Sequence, residues 1–540
     1  MKKTILKYIT VLLLAMPVSS CSDYLDTLPI DKASPDTFLK DIEQAKSLLA
    51  GIYNCFYDDS PSYITPYTYE NMCDNSYNPN TWEFSAEFAK GTQTATSWLA
   101  EYKWMKDWQA ISRCNSLLRG LASNTTLSAA DKNSVIAETR YLRAYFYFDL
   151  VSFYGRVPLL DENSPLEDPA REEISVVMDF VDKDVEFAIQ YLAHSFGGES
   201  ANKGAAYMLK LRIAQYLYDH ATVIQCAKAI KELGYSLYPD FTTLFLEKGT
   251  DDTTNKEIIF KINYAVDYRS SYMTMLWYHW GSFQTLLPAV ESFFTANGLP
   301  VKDLEADNGE MILKDPTYNP DRPFDNRDPR LHLSILCPGY EYRLDAQTRY
   351  QANWVPASWG NITGFRPKKG ANVEIANTSN DGSDKILMRY GEVLLAWAEA
   401  ENELNGPKDA YPLIDELRNR VGMVALTTSL PNLNKTTMRE LIRNERRVEL
   451  FHEGQRWHDI RRWKIAEKVM VDGVGLDVTK LKTYSNGNVS EDWQYVPMTV
   501  DKRSFNKDRD YLWPIPQKEI NRSEERRVGK ECRSRWSPYH

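Results

Sequence analysis

The sequence predicts a mainly α protein: a tetratricopeptide-like helical-repeat scaffold carrying a large irregular, loop-rich insertion with a few short strands. Two observations lead there. Apolar residues recur at helical spacing over residues 36–235 and again over 385–470, in successive stretches long enough to pack as pairs. Between them, from 239 to 384, that period is lost and Gly, Pro, Asn and Trp take over. Loops longer than about 15 residues are uncommon in a compact domain unless they serve a function. The insertion is therefore a natural place to look for a ligand.

Taken in order, residues 36–57 set Leu39, Ile42, Ala45, Leu49 and Ile52 on one helical face. A polar, aromatic, Asn- and Pro-rich stretch follows from Asp58 to about Thr96. A long helix then runs through WLAEYKWMKDWQAISRCNSLLRGL. Ser128-x-x-Asp131 resembles a capping box for the next helix. That helix carries an apolar stripe of Ala137, Tyr141, Ala144, Tyr145 and Phe148, and Gly155 with Pro158 ends it. Further helical patterns occupy 173–194, 202–218 and 220–233. After the insertion they resume at 385–404, stop at Gly406-Pro407, run over 408–421 and return at Thr437, with Glu440 three residues on. Small residues recur at packing positions (Ala205, Ala206, Ala227, Ala398, Ala400), although no repeat consensus recurs cleanly.

The first 20 residues carry Lys2 and Lys3, a short apolar stretch from Val11 to Val18, and small residues before Cys21. That is the layout of a secretion signal, and the stretch falls short of the ~20 residues a membrane span needs. With Cys21 directly after it, residues 1–20 look like a lipoprotein signal peptide, cleaved to leave a lipidated Cys21. An ordinary signal peptide with an incidental cysteine is the alternative. The signal contributes +3 and the last nineteen residues another +3 to a net charge of −10, leaving the body near −16. Such a balance speaks against a nucleic-acid partner. Of the other cysteines, Cys55, Cys73, Cys114, Cys226 and Cys337 are scattered, without C-x-x-C or metal-ligand spacing. They read as buried thiols, with a Cys55–Cys73 bridge as the alternative. Residues 522–540 differ from the rest in charge and lack an apolar period. They look like the conceptual translation of a sequencing-library adapter, so the natural chain is expected to leave this sequence near Asn521.

Three stretches resemble a known family. One is CSDYLDTLPIDKAS, with Cys21, Leu25 and Pro29. A second is RYLRAYFYFDLVSFYGRVPLL from Arg140, with Arg143, Ala144, Tyr154, Gly155, Val157 and Pro158 in the family pattern. The third is the series ILMRYGEVLLAWAEAEN from Ile386, ERRVELFHEGQRWHDIRRW from Glu445 and LWPIPQKEI from Leu512. On these residues 21–521 resemble the SusD/RagB family of outer-membrane nutrient-binding lipoproteins, departing at Gly391 and His458. The resemblance implies a non-enzymatic surface lipoprotein, anchored in the outer membrane, that partners a SusC-like TonB-dependent transporter. It implies no cofactor, no metal and no catalytic residue.

In ERRVELFHEGQRWHDIRRW, acids and arginines alternate among Leu450, Phe451, Trp457 and Trp463. Guanidinium groups pair bidentately with carboxylates and stack on indoles, so this pattern suits a partly buried ion-pair network that locks two helices. A ligand site is the weaker reading. His452 and His458 are six apart, which is not the H-E-x-x-H spacing of a zinc site. Asp328-Pro329-Arg330 reads as a structural turn.

The family resemblance implies a glycan- or peptide-binding face built from loops. Sugar rings present apolar C–H faces and hydroxyl rims, so their sites need exposed flat aromatics beside hydrogen-bonding side chains. Three clusters offer this: Asn75, Tyr77, Asn80 and Trp82; then Trp277, Tyr278, His279 and Trp280; then Trp354 and Trp359 with Asn353 and Asn361. For each tryptophan the competing reading is that it pins its own loop to the scaffold. The leading expectation is capture of an oligosaccharide or polysaccharide and its delivery to the transporter. Peptide uptake of the RagB type and, more remotely, a surface glycoside hydrolase remain alternatives, because two carboxylates suffice for the latter without any sequence signature.

Overall fold

A computed structural model describes residues 39–57, 66–165, 170–338, 341–343, 351–353, 361–372, 375, 377–480 and 494–522. Its longer helices are α1 (Ile42–Tyr53), α2 (Trp98–Ser123), α3 (Ala129–Tyr154), α4 (Ile174–Tyr191), α5 (Lys203–Tyr216) and α6 (His220–Glu232). After the insertion come α7 (Tyr390–Asn405), α8 (Tyr411–Arg420), α9 (Lys435–Glu449) and α10 (Gln455–Arg462). Several begin where a short polar side chain satisfies an orphan backbone donor of the first turn. Asp41 accepts from Gln44, Ser128 from Asp131, Asn202 from Ala205 and Asp219 from Thr222. Gly155, at φ +73°, closes α3.

The scaffold is mainly α, as the periodicity indicates. Helices pack on their sequence neighbours: α2 on α3, α3 on α4, α4 on α5 and α5 on α6. Then α7 packs on α6, joining the two halves of the scaffold across the insertion, and α9 covers α7. The alanines expected at close approaches, Ala205, Ala206, Ala227, Ala398 and Ala400, are all buried in one core. A second core, with Phe293, Phe324, Phe365, Phe451 and Leu476, lies under the insertion.

The short strands include β1 (Ser76–Tyr77), β2 (Ile258–Ile262), β3 (Gln284–Thr285) and β4 (Lys385–Arg389). β2 pairs antiparallel with β4, and β1 with β3. Two expectations need correcting here. Residues 385–389 form a strand rather than the first turn of a helix, because all five are buried between layers. The helix expected from Thr437 begins at Lys435, with Asn434 as its cap in a reciprocal capping box with Thr437.

Insertion and scaffold are held together by a buried ionic network. Arg389, at the end of β4, reaches Glu257 at 2.8 Å, Glu449 at 2.9 Å and Glu453 at 2.6 Å. Arg330 pairs with Asp328 at 2.7 Å, Glu445 at 2.6 Å and Glu449 at 3.0 Å. Asp328 also caps Pro329–Ser334, so the Asp-Pro-Arg turn is an anchor point. Burial would raise the Glu449 carboxyl, but Arg420, Arg389 and Arg330 hold it well below the usual carboxylate range.

Candidate functional site

The first and second aromatic clusters, two hundred residues apart in sequence, meet in space. β1 and β3 pair Ser76 with Thr285 and Tyr77 with Gln284. Beyond this pair the 78–85 loop folds over residues 280–282. Asn80 Nδ2 donates to the Trp280 carbonyl at 3.4 Å and to Ser282 Oγ at 3.1 Å. Glu83 is buried beneath, its carboxylate accepting from Asn78 at 2.7 Å, Asn80 at 3.1 Å and Ser282 at 2.5 Å. No cation among the described residues pairs with Glu83, and burial pushes its carboxyl up. On its far side the loop is pinned by Phe84, in the left-handed region at φ 59°, whose ring packs on Trp98 at 5.0 Å. A non-glycine residue held there stores strain that its surroundings must support.

Above this polar knot two indoles stay out of the core. Trp82 is 61% exposed and Trp280 is 40% exposed. Tyr77 is half-buried on β1, opposite Gln284. The other candidates sit differently. Asn75 is buried, donating to Glu70 at 2.8 Å and accepting from Arg447 at 2.8 Å. Trp277 is buried against His452 and Phe283. Both are framework residues, so neither offers the exposed surface that the sequence reading gave it. Tyr278 lies in the π-helical turn Met275–His279, but its side chain falls outside the described residues. Trp354 and Trp359 lie outside them too, as do Cys21, the signal segment and residues 523–540. Downstream of the third cluster, the Ile362 N–H donates to Gln284 Oε1 at 2.9 Å, so that segment returns to β3. Glu83 and Ser282, which fix the two loops together, were not singled out by sequence reasoning; only the adjacency of Glu83 to Trp82 could have flagged them.

The charged C-terminal series forms a network as its pattern suggested. Arg446 grips Asp459 at 2.9 Å, Arg447 and Arg456 meet Asp74 at 3.0 and 2.8 Å, and Arg462 meets Glu399 at 2.5 Å. His452 and His458 are enclosed by aromatic rings, and burial pushes both down to about 3. Cys55, Cys73, Cys114, Cys226 and Cys337 are all free and buried. Among the described residues no group of three His, Cys, Asp or Glu could hold a metal ion, and no helix is long and apolar enough to cross a membrane.

Comparison with known proteins defines the class. The profile of the SusD family matches residues 245–526, and a second profile, described as starch-binding associating with outer membrane, matches residues 23–214. The chain belongs to the SusD family. A SusD-like protein of Formosa agariphila is 23% identical over 503 residues, covering 84% of this chain and 89% of its own. Among solved structures, a SusD-like protein from Bacteroides fragilis superposes with a TM-score of 0.75 at 26% identity, covering 91% of this chain and 98% of its own. Surface glycan-binding protein A from Bacteroides thetaiotaomicron, in complex with laminarihexaose, shares the fold at a TM-score of 0.60 and 20% identity, covering 89% and 97%.

Proposed function

We propose that this protein is a non-enzymatic, lipid-anchored binding subunit of the outer membrane. It captures an oligosaccharide or polysaccharide and delivers it to a SusC-like TonB-dependent transporter. One observation supports the binding part: the exposed indoles of Trp82 and Trp280 stand on two loops that the Asn80–Trp280 and Ser282–Glu83 hydrogen bonds join. Two flat apolar surfaces held on a rigid polar base suit the C–H faces of successive sugar rings, and neighbouring loop polars can serve the hydroxyls. Tyr77, Tyr278, Trp354 and Trp359 are the further candidates for this site. Supporting the glycan reading are a relative in complex with laminarihexaose and the starch-binding description of the second profile. Cys21 is the lipidation site in this account, and the same profile's description supports outer-membrane placement.

Affinity electrophoresis through gels containing laminarin, starch or other polysaccharides tests it, with reducing ends assayed in parallel. Retardation without release of reducing ends is the expected result. Release of reducing ends would make the protein a hydrolase; retention of none of the glycans, with peptides bound instead, would move it to peptide capture.

A further inference from the structure

Four of the five arginines in residues 445–463 find a carboxylate, as described above, and Arg461 does not. Arg461 is buried, with 7% of its surface exposed. Among the described residues its polar contact is a long one, Nη1 to the Trp457 carbonyl at 3.4 Å, and its Nε has no partner. The guanidinium lies 4.1 Å from the Trp457 ring centroid, a cation–π contact that only partly replaces lost hydration. Burial pushes its pKa down to about 9, so the group still carries its charge at neutral pH. A buried charge without a counter-ion is costly, and proteins keep such groups where they have work to do.

Arg461 lines a partly open cavity of about 260 Å³ bordered mainly by α3, α5, α10 and the 511–512 segment. No residue of the 75–84 or 277–285 loops contributes to it. Its walls are largely apolar, with Phe148, Leu209, Tyr216, Leu387, Trp457 and Leu512. The acids in the wall are already engaged: Asp149 with Lys103, Glu392 with Arg212 at 2.7 Å, and Asp459 with Arg446 at 2.9 Å. They leave Arg461 as the buried cation of the wall without a carboxylate partner; Lys464, which also lines the cavity, is exposed and lies over the Tyr511 ring at 4.6 Å. We infer that this cavity is a second binding site, distinct from the Trp82–Trp280 face, for a small organic monocarboxylate with an apolar body. Its carboxylate is received by the Arg461 guanidinium and its body by the apolar wall. The planar fork of an arginine matches a carboxylate bidentately, and the cavity admits a small molecule rather than a glycan chain.

Benzoate and hexanoate, with benzamide and hexanamide as neutral controls, are the probes. Trp457 forms part of the wall, so tryptophan fluorescence reports occupancy, and a rise in melting temperature reports native-state binding. Saturable binding of at least one acid is expected, with its amide weaker by about tenfold or more. Arg461→Met should lose that binding while melting at or above the wild-type temperature, because it removes an unpaired buried charge. Arg461→Lys should keep part of the affinity. Should Arg461→Met fail to fold, Leu209→Trp, which fills the apolar end, must abolish binding in its place. Absence of saturable binding by either acid, or equal binding by acid and amide, would overturn the assignment.

Discussion

Replacing Glu449 by Gln removes the charge at the centre of the network while keeping the shape of the side chain. Glu449 is fully buried and meets Arg330 at 3.0 Å, Arg389 at 2.9 Å and Arg420. Taking one partner from a buried ion pair costs about 3–5 kcal/mol, because the other charge is left desolvated. Here none of the three arginines is left alone. Arg389 keeps Glu453 and Glu257, Arg330 keeps Asp328 and Glu445, and Arg420 keeps Glu257. The low end, about 3 kcal/mol, is therefore expected. That is a large part of the roughly 5–15 kcal/mol of a typical domain. Urea unfolding followed by tryptophan fluorescence should show a lower midpoint with an unchanged slope. The Glu449 carboxyl is depressed in the folded protein, so its contribution is complete above the unfolded value near ~4.3 and is lost as pH falls below it. The gap between wild type and variant should accordingly shrink below about pH 4. Asp472→Asn provides the contrast, since its partner Lys502 is largely exposed and the midpoint should barely move. An unchanged midpoint for Glu449→Gln, or a gap that does not shrink in acid, would refute the network's structural role.

Glu70 is pushed up to about 7 by burial, so wild type loses stability as pH rises from about 4.5 towards 7, where the unfolded chain can ionise this carboxyl and the folded protein keeps it protonated. Glu70→Gln should therefore be more stable relative to wild type at pH 8 than at pH 5, measured by thermal melts at both. At Gly91, φ is +70° and an added Cβ would fall 2.2 Å from the Ser504 carbonyl oxygen. Gly91→Ala should destabilise by about 2–4 kcal/mol, combining left-handed strain with overpacking, as read by denaturant midpoint. Iodoacetamide with mass-spectrometric mapping should leave Cys55, Cys73, Cys114, Cys226 and Cys337 unlabelled in the native protein and label them in urea, since burial pushes all five thiols up.

Much of the scaffold was legible because its signals are local. Apolar spacing placed the helices, and Ser128 and Gly155 marked the ends of α3 where the caps form. The strand at 385–389 was missed because a run buried on all sides shows no alternation and imitates a buried helix. Within the aromatic clusters, composition could not say which side chains face out. Trp277 and Trp280 share one turn, yet one is buried and the other exposed, depending on what packs from 365–371 and 452. The meeting of Asn80 with Trp280 rests on a pair of two-residue strands, too short to leave a sequence pattern. In the arginine-rich series all five arginines stand within three residues of an acid in the sequence. Only the spatial arrangement shows that Arg461 is the one without a carboxylate.

The binding face is tested most directly by titration calorimetry of the best-retained polysaccharide against wild type, Trp82→Ala, Trp280→Ala and the double variant. Trp82 and Trp280 are exposed, so the substitutions should leave the unfolding midpoint unchanged. The account predicts weaker binding in each single variant and none detectable in the double. Wild-type affinity in a folded double variant would contradict it.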